Sequence, residues 1–128
     1  MADALLSFHR TWGYVAIGLN ALAGVIALVA WQWRRFRGPW VWVTTAVAEV
    51  AILVQILAGT VLVMRDKALA KQNGIRFHMF YGFVAFITVG LLYSYRYIWQ
   101  ARGWMELAYG LGGLFIMGLG IRAVLQVM

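Results

Sequence analysis

His9 and His78 are the only imidazoles in this chain, and they stand in the same local sequence. Phe8-His9-Arg10-Thr11-Trp12-Gly13-Tyr14-Val15-Ala16 returns as Phe77-His78-Met79-Phe80-Tyr81-Gly82-Phe83-Val84-Ala85. Phe, His, Gly, Val and Ala repeat unchanged, and the other two aromatic positions stay aromatic. There is no cysteine. Thiolate metal sites, iron–sulfur clusters and disulfides are therefore excluded. An imidazole nitrogen is a ligand for haem iron, and two of them facing each other across a helical bundle hold a flat metal macrocycle by both axial positions. A zinc or copper site draws on three or four protein ligands. Only Asp3 and Asp66 lie near enough in sequence to add carboxylates, so the pair favours haem b over a bare metal ion.

The elements that must position these rings are apolar throughout. Of 128 residues, 64% are hydrophobic and only 12% charged, against about 25% charged in soluble domains. Four apolar segments, at about 6–33, 40–64, 77–99 and 104–127, each exceed the roughly 20 residues that cross a bilayer as a helix. Lipid admits only helices or closed barrels, and barrel strands are about 10 residues long. The expected fold is thus all-α: a four-helix transmembrane bundle, up-down-up-down, forming one integral membrane domain over residues 1–128. The first segment has almost no positive n-region and is too long for a signal h-region, so it reads as a retained spanning helix.

Short polar connections join the segments: Arg34 to Pro39, Arg65 to Arg76, and Gln100 to Gly103. They make sequential helices antiparallel neighbours. Asn73-Gly74 marks a turn at the end of the second connection. The net charge of +7 is spread over these connections, as interfacial anchors are, and gives no nucleic-acid signal. The surface bearing the N-terminus and the second connection is called side A, and its opposite side B. Six of the seven tryptophans lie near side B: Trp31, Trp33, Trp40, Trp42, Trp99 and Trp104. Basic residues are nearly balanced between the two sides. Arg34, Arg35 and Arg37, after the first helix, favour side B in the cytoplasm.

The histidine motif repeats at an offset of 69 residues, which spans two helices. Two helical hairpins related by an axis along the membrane normal account for that. His9 and His78 then lie at one depth, near side A, on diagonal helices. Gly13 and Gly82 follow the histidines by four residues, one turn deeper on the same face. Gly59 and Gly120 fall at a similar level in the second and fourth helices, where they would leave room for a macrocycle. Arg10, Arg76 and Arg122 share that rim and suit propionate carboxylates, which arginine binds as a planar fork. Close helix packing is the competing role for Gly110, Gly113, Met117, Gly118 and Gly120.

Glu49, Asn20, Gln55 and Thr88 are polar residues inside the apolar segments. An ionisable group at the depth of Glu49 is a candidate proton carrier or quinone contact. Its competing role is interhelical glue, hydrogen-bonded to Asn20 or a threonine. No G-x-S-x-G, P-loop or HExxH pattern occurs.

Phe77-His78-Met79-Phe80-Tyr81-Gly82-Phe83 and the run Gly112 to Ala123 resemble a group of small, uncharacterised bacterial four-helix membrane proteins. His9-Arg10, within Phe8 to Gly13, is similar to the histidine–arginine helix starts of haem-binding membrane bundles such as haem A synthases and b-type cytochromes. The resemblance implies a multi-pass protein of the bacterial cytoplasmic membrane.

Three functions are open at this point. The first is a small cytochrome b-like electron-transfer subunit, with His9 and His78 on one haem and a quinol or partner protein supplying or taking electrons. The second is a cofactor-free accessory subunit of a larger membrane complex. The third is a small transporter using Glu49, which would need a homodimer. None makes the chain an enzyme on its own. The lipid bilayer and other membrane subunits are the expected partners.

Overall fold

The computed structural model describes residues 2–98 and 104–127, without the side chains of residues 2, 3 and 96–98. It contains four helices: α1 (Ala2–Gln32), α2 (Pro39–Arg65), α3 (Ile75–Ile98) and α4 (Trp104–Gln126). Single 3₁₀ turns at Arg34–Phe36 and Leu69–Lys71 interrupt the first two connections. The all-α four-helix bundle read from the segments is the observed one. All four helices carry stretches long and apolar enough to cross a membrane, of 29, 27, 21 and 23 residues. α1 and α3 start earlier than the segments read from the sequence, because Ala2 to Leu5 and Ile75-Arg76 also wind into helix. The third connection and Trp99 lie outside the described residues.

Helix ends follow local chemistry. α1 stops where Arg37 folds back on it: Nε donates to the Ala30 carbonyl at 2.8 Å and Nη2 to the Trp31 carbonyl at 2.6 Å. These are carbonyls that the last turn leaves without an amide donor. Arg37 is thus a helix cap as well as a member of the side B cluster. Pro39 opens α2 at its first turn, where its missing N–H is not needed. Beyond α2, the Ala68 amide donates to Asp66 Oδ1 at 3.0 Å, closing an Asx turn. Gly74 has φ of 80°, the left-handed region that suits glycine. A Cβ there would also collide with the Gln126 carbonyl.

The helices form a ring in which α1 packs on α2 and α4, and α4 on α3. α1 and α3 make no direct backbone approach and lie diagonally, as the short connections require. The core is built of small residues on α1, with Ala16, Ala27 and Ala30 each fully buried. Gly24 meets α4 backbone to backbone: a Cβ on it would stand 3.0 Å from the Gly110 carbonyl oxygen. Gly113 approaches Gly24 Cα equally closely. Close approach through small residues is how helices associate where water supplies no hydrophobic drive. Outward faces are apolar on every helix, for example Leu22, Val50, Leu57, Phe83, Leu91 and Phe115, all exposed. Such a continuous apolar exterior belongs in lipid rather than in water.

By contrast, α2 and α3 barely touch. The ring is therefore closed on three sides and loose on the fourth. This departs from the two-fold symmetry of the sequence, in which α1–α4 and α3–α2 are equivalent seams.

Candidate functional site

The two histidines converge. Their ring centroids are 6.0 Å apart, with planes inclined at 75°. α1 brings His9 from one side and α3 brings His78 from the other. Both line a cavity of about 590 Å³ walled by residues of all four helices. Its walls are largely apolar, with Ile17, Ile52, Ile56, Phe83, Phe86 and Leu119 among them. Size and lining are those of a small-molecule or cofactor site.

His78 is fixed by a hydrogen bond. Its Nδ1 lies 2.8 Å from the Ala123 carbonyl oxygen on α4. A carbonyl only accepts, so Nδ1 carries the proton and Nε2 of the neutral ring keeps its lone pair. His9 is held differently. Gln55, on α2, donates from Nε2 to the His9 backbone carbonyl at 2.7 Å. The same amide nitrogen stands 3.5 Å from His9 Nε2, the outer limit of a hydrogen bond. His9 Nδ1 is buried without a partner, as is Gln55 Oε1.

Two of the four glycines expected to empty the core serve this histidine. A Cβ on Gly59 would lie 2.8 Å from His9 Cε1, and one on Gly13 would lie 2.8 Å from Gln55 Nε2. Their missing side chains seat the ring and the amide, so this part of the layer is filled rather than vacant. Gly120 makes room for Ile17, whereas Gly82 has no heavy atom within 4 Å of the position a Cβ would take. The open part of the site is thus the α3 side. All four glycines line the cavity. Gly110 and Gly113 do pack helices closely, while Gly118 faces open space.

The arginines divide. Arg10 lines the cavity, with Gln72 from the second connection. Arg76 and Arg122, exposed as Arg10 is, are not part of its wall. Arg122 instead lies over the Tyr81 ring, 5.8 Å from its centroid, and its Nε donates to Tyr81 Oη at 3.4 Å. The expected three-arginine rim is reduced to Arg10 at the cavity itself.

The polar residues of the side B half lie apart from this cavity. Asn20, only 1% exposed, donates from Nδ2 to the Ala16 carbonyl at 2.9 Å and the Ala48 carbonyl at 3.2 Å. It ties α1 to α2 through backbone. Glu49 is 5% exposed, and its Oε1 is buried without a hydrogen bond, as is Thr45 Oγ1. The expected glue between Glu49 and Asn20 or a threonine is not formed at that oxygen. Thr88 turns inward on its own helix, bonding the Val84 carbonyl at 2.8 Å.

Gln55, one of the polar candidates inside the apolar segments, joins the site, whereas Gln72 and the Ala123 carbonyl are site groups that motif reading does not single out. Gln55 precedes Gly59 by one helical turn, which sets both on one face of α2. A backbone acceptor such as Ala123 leaves no signature in side-chain sequence. Among the described residues, no three His, Cys, Asp or Glu side chains gather. Two imidazoles on one cavity suit a metal whose remaining positions are filled by a non-protein ligand. Comparisons with protein families, curated proteins and solved structures returned no match.

Proposed function

We propose that this chain is a small membrane cytochrome b-like subunit that binds one haem b between His9 and His78. The observation that carries the reading is the convergence of two imidazoles from diagonal helices on one apolar cavity. The ring centroids lie 6.0 Å apart, so His9 and His78 would be the residues to hold one metal-bearing group between them. The opening beside Gly82 and the cavity of about 590 Å³ give a macrocycle room. The unpartnered His9 Nδ1 marks a ring with hydrogen-bonding capacity still to be used.

Bound haem would supply one-electron transfer. The chain's own groups do the rest. His9 and His78 hold the group at one depth, the apolar wall excludes water, and Arg10, with Gln72, offers donors to propionate oxygens at the cavity wall. One site near side A reaches only part of the way across about 30 Å of hydrocarbon. Electrons would thus come from or pass to a quinol or a partner subunit. The exposed apolar faces of all four helices suit a multi-pass subunit of a bacterial cytoplasmic membrane, alone as a homodimer or within a larger assembly. This reading also agrees with the resemblance of His9-Arg10 to the helix starts of haem-binding bundles.

The test is a reduced-minus-oxidised visible spectrum of the protein purified in mild detergent and offered haem. The expected result is a sharp band of six-coordinate haem, absent from both His9→Ala and His78→Ala. A folded wild type that remains colourless would instead leave a cofactor-free accessory subunit as the better account.

A further inference from the structure

The two histidines look interchangeable in sequence, yet the bundle holds them by different means. His78 Nδ1 donates to Ala123 in the last turn of α4 at 2.8 Å. Carbonyls in a last turn run short of amide donors from their own helix. The bond therefore satisfies both partners, and it leaves Nε2 as the one nitrogen able to bind a metal. An N–H donated to a carbonyl also fixes the ring's orientation and raises its basicity as a ligand.

His9 has no such support. Gln55 spends its short bond, 2.7 Å, on the His9 backbone carbonyl and stands 3.5 Å from the ring. Nδ1 is buried with no acceptor. The ring is located by shape, with Cε1 seated over Gly59. When a neutral imidazole binds metal through one nitrogen, the other carries a proton that needs an acceptor. His78 has one and His9 does not.

We infer that the pair is functionally asymmetric: His78 is the fixed ligand, and His9 is a releasable one whose departure lets a small neutral molecule, such as a diatomic gas, take its place. The inference rests on the haem reading for the external ligand, though not for the asymmetry of the rings. The chemical class follows from the cavity. Its lining is apolar, and Arg10 is the one fixed charge among the lining residues, so a small uncharged molecule enters more readily than a hydrated ion.

Two measurements test this. The first uses the wild-type protein without haem, labelled with ¹⁵N-histidine in detergent. His78 is expected to show a single Nδ1-protonated tautomer with a slowly exchanging proton. His9 is expected to show exchange between tautomers. Indistinguishable signals from the two rings overturn the asymmetry. The second measurement uses haem-loaded variants. His9→Ala is expected to retain haem through washing, shift to a five-coordinate spectrum and bind carbon monoxide fully. His78→Ala is expected to lose its haem. Reduced wild type should bind carbon monoxide more weakly than His9→Ala. Equal haem loss from both variants, or no carbon monoxide binding by the wild type, overturns the releasable role. A wild type that takes up no haem overturns the cofactor reading, and the nitrogen signals then decide the asymmetry alone.

Discussion

The α1–α4 seam and the α2–α3 seam occupy equivalent places in the sequence repeat, but the first is shut and the second is open. The residues facing each seam explain the difference. Gly24 stands fifteen residues after His9, and Tyr93 stands fifteen after His78. On α1 that position lets Gly110 and Gly113 come into backbone contact. On α3 it holds a large ring, 6.4 Å from Trp42 of α2. A small-residue helix draws its neighbours in, whereas a bulkier one keeps α2 at a distance through an aromatic pair near side B. Toward side A nothing fills the space so created, and the histidine cavity lies there. The duplicated motif thus yields one structural seam and one site.

The sharpest way to break the comparison is to give α1 the residue that α3 carries. Gly24→Tyr forces a ring against backbone that stands 3.0 Å from an added Cβ, and that backbone cannot move aside. Loss of about 3 kcal/mol is expected from such overpacking, read as a collapse of the thermal unfolding transition in detergent. An unchanged transition would mean that the α1–α4 seam is not what closes the bundle.

Gly82→Leu makes the opposite change, filling the open seam. No heavy atom lies within 4 Å of the new Cβ, and leucine is the better helix former by up to about 1 kcal/mol. The fold should be kept and haem uptake lost. Retention of full haem binding would place the macrocycle elsewhere.

Gln55→Leu should have a smaller effect, removing the 2.7 Å bond to the His9 carbonyl. One interhelical hydrogen bond of this kind contributes about 0.6 kcal/mol in a membrane bundle. A modest fall in melting temperature is expected, with a spectral change confined to the His9 side. Glu49→Gln should change least. It keeps the shape of a side chain whose Oε1 makes no bond, so the melting temperature should stay close to that of the wild type. Abolished proton-coupled uptake in vesicles carrying this variant would restore the transporter reading.

Element type and order were legible because they depend on composition and spacing alone. Four apolar runs with polar connections leave lipid-compatible helices as the only solution. The shared depth of His9 and His78 followed from the repeated motif. The functions of individual glycines were not legible, since the same residue serves packing at Gly113, ring seating at Gly59 and open space at Gly82. Arg76 and Arg122 were equally ambiguous: near the rim in sequence, they face outward because of where they fall on the turns of α3 and α4.

The sequence by itself determined that this chain is a helical bundle suited to a membrane, with two imidazoles at one level on opposite helices, because helix length and periodicity are local properties. Only the tertiary structure decided that the rings meet, that one is held by a carbonyl and the other merely seated, and that α2 and α3 barely touch. Those outcomes depend on how side chains from four separate segments share one volume, and no single segment encodes that.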